Sequence, residues 1–246
     1  MGYLQEFENV TVLGYINAGY GERSSQDLLD NVEILRNWRQ KFNYFGENGI
    51  GPRGLDGVFI DKIGSNEAEF KTLEKVCQHI RSRPWRSRKS GSHHEIYISS
   101  SGFVILDTQV PPVYPYSALA DIVIVFEGNY KQFINPQICQ YSPYEYLRDV
   151  TPSHGLRLTL PQPSSDLHSW QFGIIIDGFL SNNTKDMKVS RMRDLINDLV
   201  QNKRLGLIFL TDLMEKDADG NKNWSLIWDE FVSMIASAKV MASILY

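Results

Sequence analysis

Asp121-Ile122-Val123-Ile124-Val125-Phe126-Glu127 holds a short apolar run, rich in β-branched residues, that closes on a carboxylate. Its length and composition read as a buried strand rather than a helix. Five more runs of this kind lie at residues 10–16, 57–60, 103–106, 172–176 and 205–210. Most of the segments between them repeat apolar residues at helical spacing. Leu28, Val32, Leu35, Trp38 and Phe42 do so after a Ser24-Ser25 start signal. Phe70, Leu73, Val76, Cys77 and Ile80 follow the second run, and Met192, Leu195, Ile196 and Leu199 precede the sixth. A last helix is expected to carry Ile227, Trp228, Phe231, Val232 and Ile235. Strands alternating with helices predict an α/β fold in which six parallel strands are covered by helices.

A chain of 246 residues is long for an ordinary domain, yet a barrel of parallel strands reaches this size as one unit. Residues 1–246 are therefore read as a single domain. Hydrophobic residues at 42% and charged residues at 22% give a globular balance. The net charge of −4 argues against a nucleic-acid partner, which would select a basic face. Cys77 and Cys139 make no disulfide framework. No apolar run approaches the ~20 residues of a membrane span, and residues 1–9 do not read as a signal peptide. Two stretches fit the alternation poorly. Residues 82–101 begin basic and end in serines, and residues 151–169 are rich in proline, serine and leucine. Both read as long loops or insertions.

The residues that follow the runs carry the functional signal. In chain order they are Asn17, Asp61, Asp107, Glu127, Asp177 and Thr211-Asp212. In a barrel of parallel strands the C-terminal strand ends ring one mouth, and active sites are built there. Any one polar residue at a strand end is more simply a turn former or a cap. A carboxylate after five of the six runs is harder to assign to turns alone. Carboxylates without clustered histidines or cysteines suit glycoside hydrolysis, which needs one acid and one base or nucleophile. Tyr15, Tyr20, Tyr130 and Trp170 lie near these ends. They could stack on sugar rings, although core or rim packing accounts for each of them equally well.

The stretch Asn9-Val-Thr-Val-Leu-Gly-Tyr15-Ile-Asn17, continuing to Tyr20-Gly21-Glu-Arg23, resembles the third-strand signature of spherulin-4-like proteins. Gly54-Leu-Asp-Gly57-Val-Phe-Ile-Asp61 is similar to the family's fourth-strand motif. Asp107-Thr-Gln-Val-Pro-Pro112, with Tyr116-Ser-Ala-Leu-Ala-Asp121 running on to Glu127-Gly-Asn-Tyr130, resembles its longest motif. Leu210-Thr-Asp212 with Trp224, Trp228 and Phe231 resembles its closing segment.

This resemblance implies a (β/α)8 barrel of TIM type and hydrolysis of a galactosamine-containing polysaccharide by an endo-acting, carboxylate-pair mechanism. It implies no cofactor and no metal, a polysaccharide as partner, and an extracellular or cell-wall setting. The family's acids, an Asp-Glu pair and a later Glu, fall on Asp61, Lys62 and Glu127. Asp61 and Glu127 are thus the candidate catalytic pair. Tyr15, Asn17, Tyr20, Arg23, Asp107, Tyr130, Asp177 and Asp212 are candidate substrate contacts.

Three departures qualify the match. Lys62 stands where the family has an acid, and an ammonium beside Asp61 would oppose a proton-donor role. Asp107-Thr-Gln replaces the usual Asn-Pro-Gly. Residues 1–9 align with the end of the family's second helix, so the chain is expected to lack the first two strands and to be a monomer when complete. The segment 82–101 is expected to be an insertion. A non-catalytic carbohydrate-binding or wall- and spore-associated barrel is the alternative to the enzyme.

Other signals are weaker. Gly49-Ile-Gly51-Pro-Arg-Gly54 precedes a strand where a dinucleotide loop follows one. Asp217-Ala-Asp219-Gly-Asn221 lacks the spacing of a calcium loop. His93-His94 have no partners at metal-ligand spacing. Arg81 and the basic residues up to Lys89 read as a solvated loop. Asn9, Asn182 and Asn223 open glycosylation sequons that matter only in a secreted protein.

Overall fold

The fold was obtained as a computed structural model, which describes residues 11–37, 55–64, 66–90, 96–109, 116–135, 171–180, 183–202, 205–213, 225 and 227–244. Trp38, Phe42, Gly49 to Gly54, His93-His94, residues 151–169, Trp170, residues 217–221 and Trp224 fall outside the described residues. The strands are β1 (Leu13–Asn17), β2 (Gly57–Asp61), β3 (Pro84–Ser90), β4 (Ile96–Ser101), β5 (Phe103–Asp107), β6 (Ile122–Asn129), β7 (Phe172–Asp177) and β8 (Leu207–Leu210). The helices are α1 (Ser25–Arg36), α2 (Glu67–Ser82), the short α3 (Tyr130–Ile134), α4 (Lys185–Asn197) and α5 (Trp228–Ile244). All six expected strands form, in the sheet order β1-β2-β5-β6-β7-β8. The chain divides into two compact units, Met1–Thr108 with Val113–Val123, and Gln109–Pro112 with Ile124–Tyr246.

In the first unit, β1, β2 and β5 pair in parallel, with Leu13 opposite Gly57 and Gly57 opposite Phe103. Alternation decides what each strand buries. Ile16, Val58, Ile60, Val104 and Leu106 are buried, whereas Tyr15 on the other face of β1 is 58% exposed. α1 begins at Ser24 because its hydroxyl accepts the Asp27 N–H while the Asp27 carboxylate accepts the Ser24 N–H. Asn66 caps α2 by accepting the Glu69 N–H at 2.9 Å. Leu28 and Val32 of α1 and Leu73, Val76, Cys77 and Ile80 of α2 are the buried apolar residues of these helices. Burial pushes the Cys77 thiol up to about 12, leaving it an apolar core group.

Gly57 lies opposite Phe103 where β2 meets β5. A Cβ there would lie 1.9 Å from the Phe103 carbonyl oxygen. Because that obstacle is backbone, Gly57→Ala is expected to lower stability by about 1–3 kcal/mol or more, read as a drop in Tm. An unchanged Tm would mean that the two strands do not meet at this register.

Residues 82–101, expected as a loop, contain an antiparallel pair instead, with Ser90 opposite Ile96. Trp85 anchors its start, donating its indole N–H to the Ile80 carbonyl at 2.8 Å. Ladder hydrogen bonds hold such a ribbon together without the apolar alternation that a sequence reading relies on.

In the second unit, β7 and β8 pair in parallel from Gly173 opposite Leu207 to Ile176 opposite Leu210. α4 packs against α5, with Lys185 and Glu230 paired at 2.6 Å. Met192 and Ile196 are the buried apolar residues of α4, as their spacing predicts. Among the described residues, no helix is long and apolar enough to cross a membrane.

Candidate active site

Backbone conformation singles out the strand ends. Among the described residues, the non-glycine residues with positive φ are Tyr20 (52°), Lys62 (56°), Gln109 (57°) and Leu180 (47°). Each lies within three residues of the C-terminal end of β1, β2, β5 or β7. Left-handed backbone costs an L-residue roughly 1–2 kcal/mol, and such strain concentrates at functional sites.

In the first unit, the loops after β1 and β2 are tied to one another. Ala18 donates its N–H to the Asp61 carbonyl at 2.8 Å, and Tyr20 donates to the Lys62 carbonyl at 2.7 Å. Asn17 shapes the first loop by accepting the Gly19 N–H on its side chain at 2.8 Å. Its carbonyl takes a guanidinium N–H of Arg23 at 2.8 Å. Both residues thus build the turn that presents Tyr20, which is 53% exposed. Glu69 lies beneath this rim, where a Cβ on Gly21 or on Gly64 would crowd its carboxylate. Burial holds the Glu69 carboxyl above its ordinary range, partly offset by the Gly64 N–H. The Tyr116 hydroxyl donates to the Gly64 carbonyl at 3.0 Å and fixes the second loop from another side.

Asp61 ends β2, half-buried, with a defined orientation. Its Oδ2 accepts the Tyr15 hydroxyl at 2.5 Å, and its Oδ1 accepts the Lys62 N–H. Asp107 ends β5 and is buried at 1% exposure. Carboxylate oxygens of these two residues lie within 4.8 Å of one another, near enough to act on one bound group or to contribute to a cation site. Lys62 sits past the strand end, so strand alternation does not decide its direction. Its ammonium forms no ion pair with Asp61 among the described residues.

In the second unit, Glu127 projects from β6 and is exposed. Its Oε2 accepts the Gln109 side-chain amide at 2.9 Å, and its N–H donates to the Gln109 carbonyl at 3.3 Å. Tyr130 begins α3 after a capping box between Asn129 and Gln132. Its ring meets Phe179 edge-on at 4.6 Å, which is a packing contact. The loops after β7 and β8 are laced together, Gly178 donating to Leu213 at 2.8 Å and Phe179 to Thr211 at 2.9 Å. Asp177 ends β7, half-buried.

Asp212 differs from the other rim acids. It is 7% exposed, its Oδ2 accepts the Lys188 ammonium at 2.8 Å, and its Oδ1 accepts the Ser225 hydroxyl at 2.8 Å. These bonds suit a structural tie between β8 and α4 better than a sugar contact. Sequence reasoning missed Lys188, Ser225 and Gln109. The one usable signal was that Gln109 closes Asp107-Thr-Gln, the stretch that departs from the motif this chain resembles.

The spherulation-specific family 4 pattern matches residues 1–235. Among solved structures, the crystal structure of Aspergillus clavatus Sph3 in complex with GalNAc resembles this chain at 20% identity and a TM-score of 0.65. The likeness covers 96% of this chain and 76% of that one. At this identity it establishes the fold, which is of the TIM-barrel type. No curated protein matches the chain.

Proposed function

Because the chain belongs to spherulation-specific family 4, we propose that it is a glycoside hydrolase of a galactosamine-containing polysaccharide, with Asp61 and Glu127 as its carboxylate pair. The observation that carries this reading is Asp61 itself. Its carboxylate is held at a strand end by the Tyr15 hydroxyl and the Lys62 N–H, with Asp107 beside it. The GalNAc bound to Sph3 supports an amino-sugar ligand. In such a reaction one carboxylic acid protonates the leaving glycosidic oxygen, while a second carboxylate activates water or attacks the anomeric carbon. Exposed Tyr15 and Tyr20 offer apolar ring faces to a sugar. An extracellular or wall-associated setting belongs to the same proposal.

Incubating the purified protein with a galactosamine-containing polymer should release new reducing ends. Lys62→Glu should raise the rate, because it puts a second carboxyl group next to Asp61. The lysine at this position favours a second reading, a sugar-binding protein without turnover. Binding of the polymer with no product, in both the natural protein and Lys62→Glu, would select that reading and reject the hydrolase.

A further inference from the structure

We propose that Glu69 is a pH-sensitive latch beneath the loops after β1 and β2: as a neutral acid it packs under their junction, and as an anion it lets the junction open. The latch acts on the rim that carries Tyr20 and Lys62 and does not depend on the hydrolase reading. A glutamate at the third position of a helix ordinarily turns back to accept the N–H of the capping residue. Glu69 holds that position in α2, and its own N–H is capped by Asn66. Its carboxyl does not turn back. The residue is 5% exposed, and neither carboxyl oxygen accepts a well-formed hydrogen bond among the described residues. Each loop makes room for it with a glycine. A Cβ on Gly64 would overlap Glu69 Oε2, and one on Gly21 would lie 3.1 Å from it. The same two loops are joined by the Tyr20 N–H and the Lys62 carbonyl at 2.7 Å. Both residues hold left-handed backbone there, which persists only where surrounding contacts enforce it.

The surroundings give the latch its direction. A buried carboxyl without well-formed donors favours its neutral form, because ionisation strands a charge away from water. Burial is the main influence on Glu69 and raises its carboxyl, with the Gly64 N–H opposing it in part. The charged groups on the neighbouring elements are engaged elsewhere or make no bond to it. Glu67, exposed in the first turn of α2, supplies the negative charge that a helix N-terminus favours and pairs with Lys71. Arg23 donates to the Asn17 and Asp27 carbonyls, and the Tyr116 hydroxyl to the Gly64 carbonyl. Among the described residues, none of Tyr20, Glu22 and Lys62 forms a hydrogen bond or an ion pair with Glu69. With no cation among them to hold the anion, ionisation must draw water in between the loops and α2.

Hydrogen exchange at the Tyr20 amide, corrected for its intrinsic rate, reads the junction directly, because the Lys62 carbonyl holds that N–H. A group that binds its proton more tightly when the loops are joined favours their separation as the pH rises. Exchange should therefore speed up by about tenfold per pH unit between the ordinary glutamate value and the raised one, and level off above it. Glu69→Gln keeps the shape and cannot ionise, so protection of the Tyr20 amide should stay flat with pH. A merely structural glutamate would change the level of protection and not its slope. Gly64→Ala sets a methyl where the carboxyl lies and should displace it. The Tyr20 amide should then exchange fast throughout this range, and the carbon resonance of labelled Glu69 should titrate at the ordinary glutamate value. The same pH dependence in the natural protein and Glu69→Gln would overturn the proposal. So would an ordinary Glu69 titration in the natural protein, or full protection of Tyr20 in Gly64→Ala.

Discussion

Glu127→Gln is expected to lower turnover of a galactosamine-containing polymer by about a thousandfold or more, while leaving affinity for it nearly unchanged. General acid–base groups contribute roughly 10²–10⁴-fold, and a group that also forms a bond to substrate contributes more. The amide keeps the size of the side chain and much of its hydrogen bonding. What it loses is the charge needed at the transition state, so kcat should fall rather than binding weaken. Steady-state release of reducing ends gives the first quantity, and calorimetric titration with non-cleaved oligomer gives the second. A variant that retains a tenth or more of the turnover would remove Glu127 from the catalytic pair. A variant that loses binding and turnover together would make it a sugar contact instead.

The second large effect lies away from the chemistry. Lys188→Met is expected to destabilise the fold by about 3–5 kcal/mol, the usual cost of leaving one charge of a buried pair alone. Both side chains of the Lys188–Asp212 pair are 4% exposed. For a chain of this length the loss corresponds to a fall in Tm of roughly 6–20 °C. The pH dependence fixes the cause. Burial alone would push the Asp212 carboxyl up, but the hydrogen bonds from Lys188 and Ser225 and the Lys188 charge outweigh it and hold it below its ordinary range. A depressed folded-state value means that the pair stabilises at pH above the ordinary aspartate range. That contribution disappears as the pH falls through the folded-state value. The gap in Tm between the natural protein and Lys188→Met should therefore narrow on acidification. Replacing both partners, in Lys188→Met with Asp212→Leu, should restore much of the loss, because no buried charge is then stranded. A single variant as stable as the natural protein would show that the pair does not hold β8 to α4.

The strands were legible because apolar runs of this length have one common use in an alternating chain. Asn17, Asp61, Asp107 and Asp177 end their strands as their positions in the sequence predict, and Glu127 sits two residues before the end of β6. Ser24 starts α1 where the start signal placed it. The segment 82–101 was not legible, since backbone ladder bonds leave no apolar pattern, and its serines and basic residues read as a surface loop.

The chemistry of the rim was only half legible, for two physical reasons. The partner of Asp212 lies 24 residues upstream on a helix, where a lysine ordinarily reads as solvated surface. The sign of φ at Tyr20, Lys62 and Gln109 cannot be read from residue type, because only glycine advertises left-handed backbone. Asn17 and Arg23 were expected as substrate contacts; Asn17 ends β1, and the bonds of both residues build the loop that presents Tyr20.

Hydrolysis of the polymer in heavy-oxygen water tests the central claim most directly. If the chain is a glycoside hydrolase, mass spectrometry of the released oligosaccharides should find one heavy oxygen at each new reducing end, because solvent supplies the oxygen that completes the cleaved bond. The label should appear with the natural protein and vanish with Glu127→Gln. Release of unlabelled, unsaturated oligosaccharides, or binding of the polymer without any release, would contradict the account.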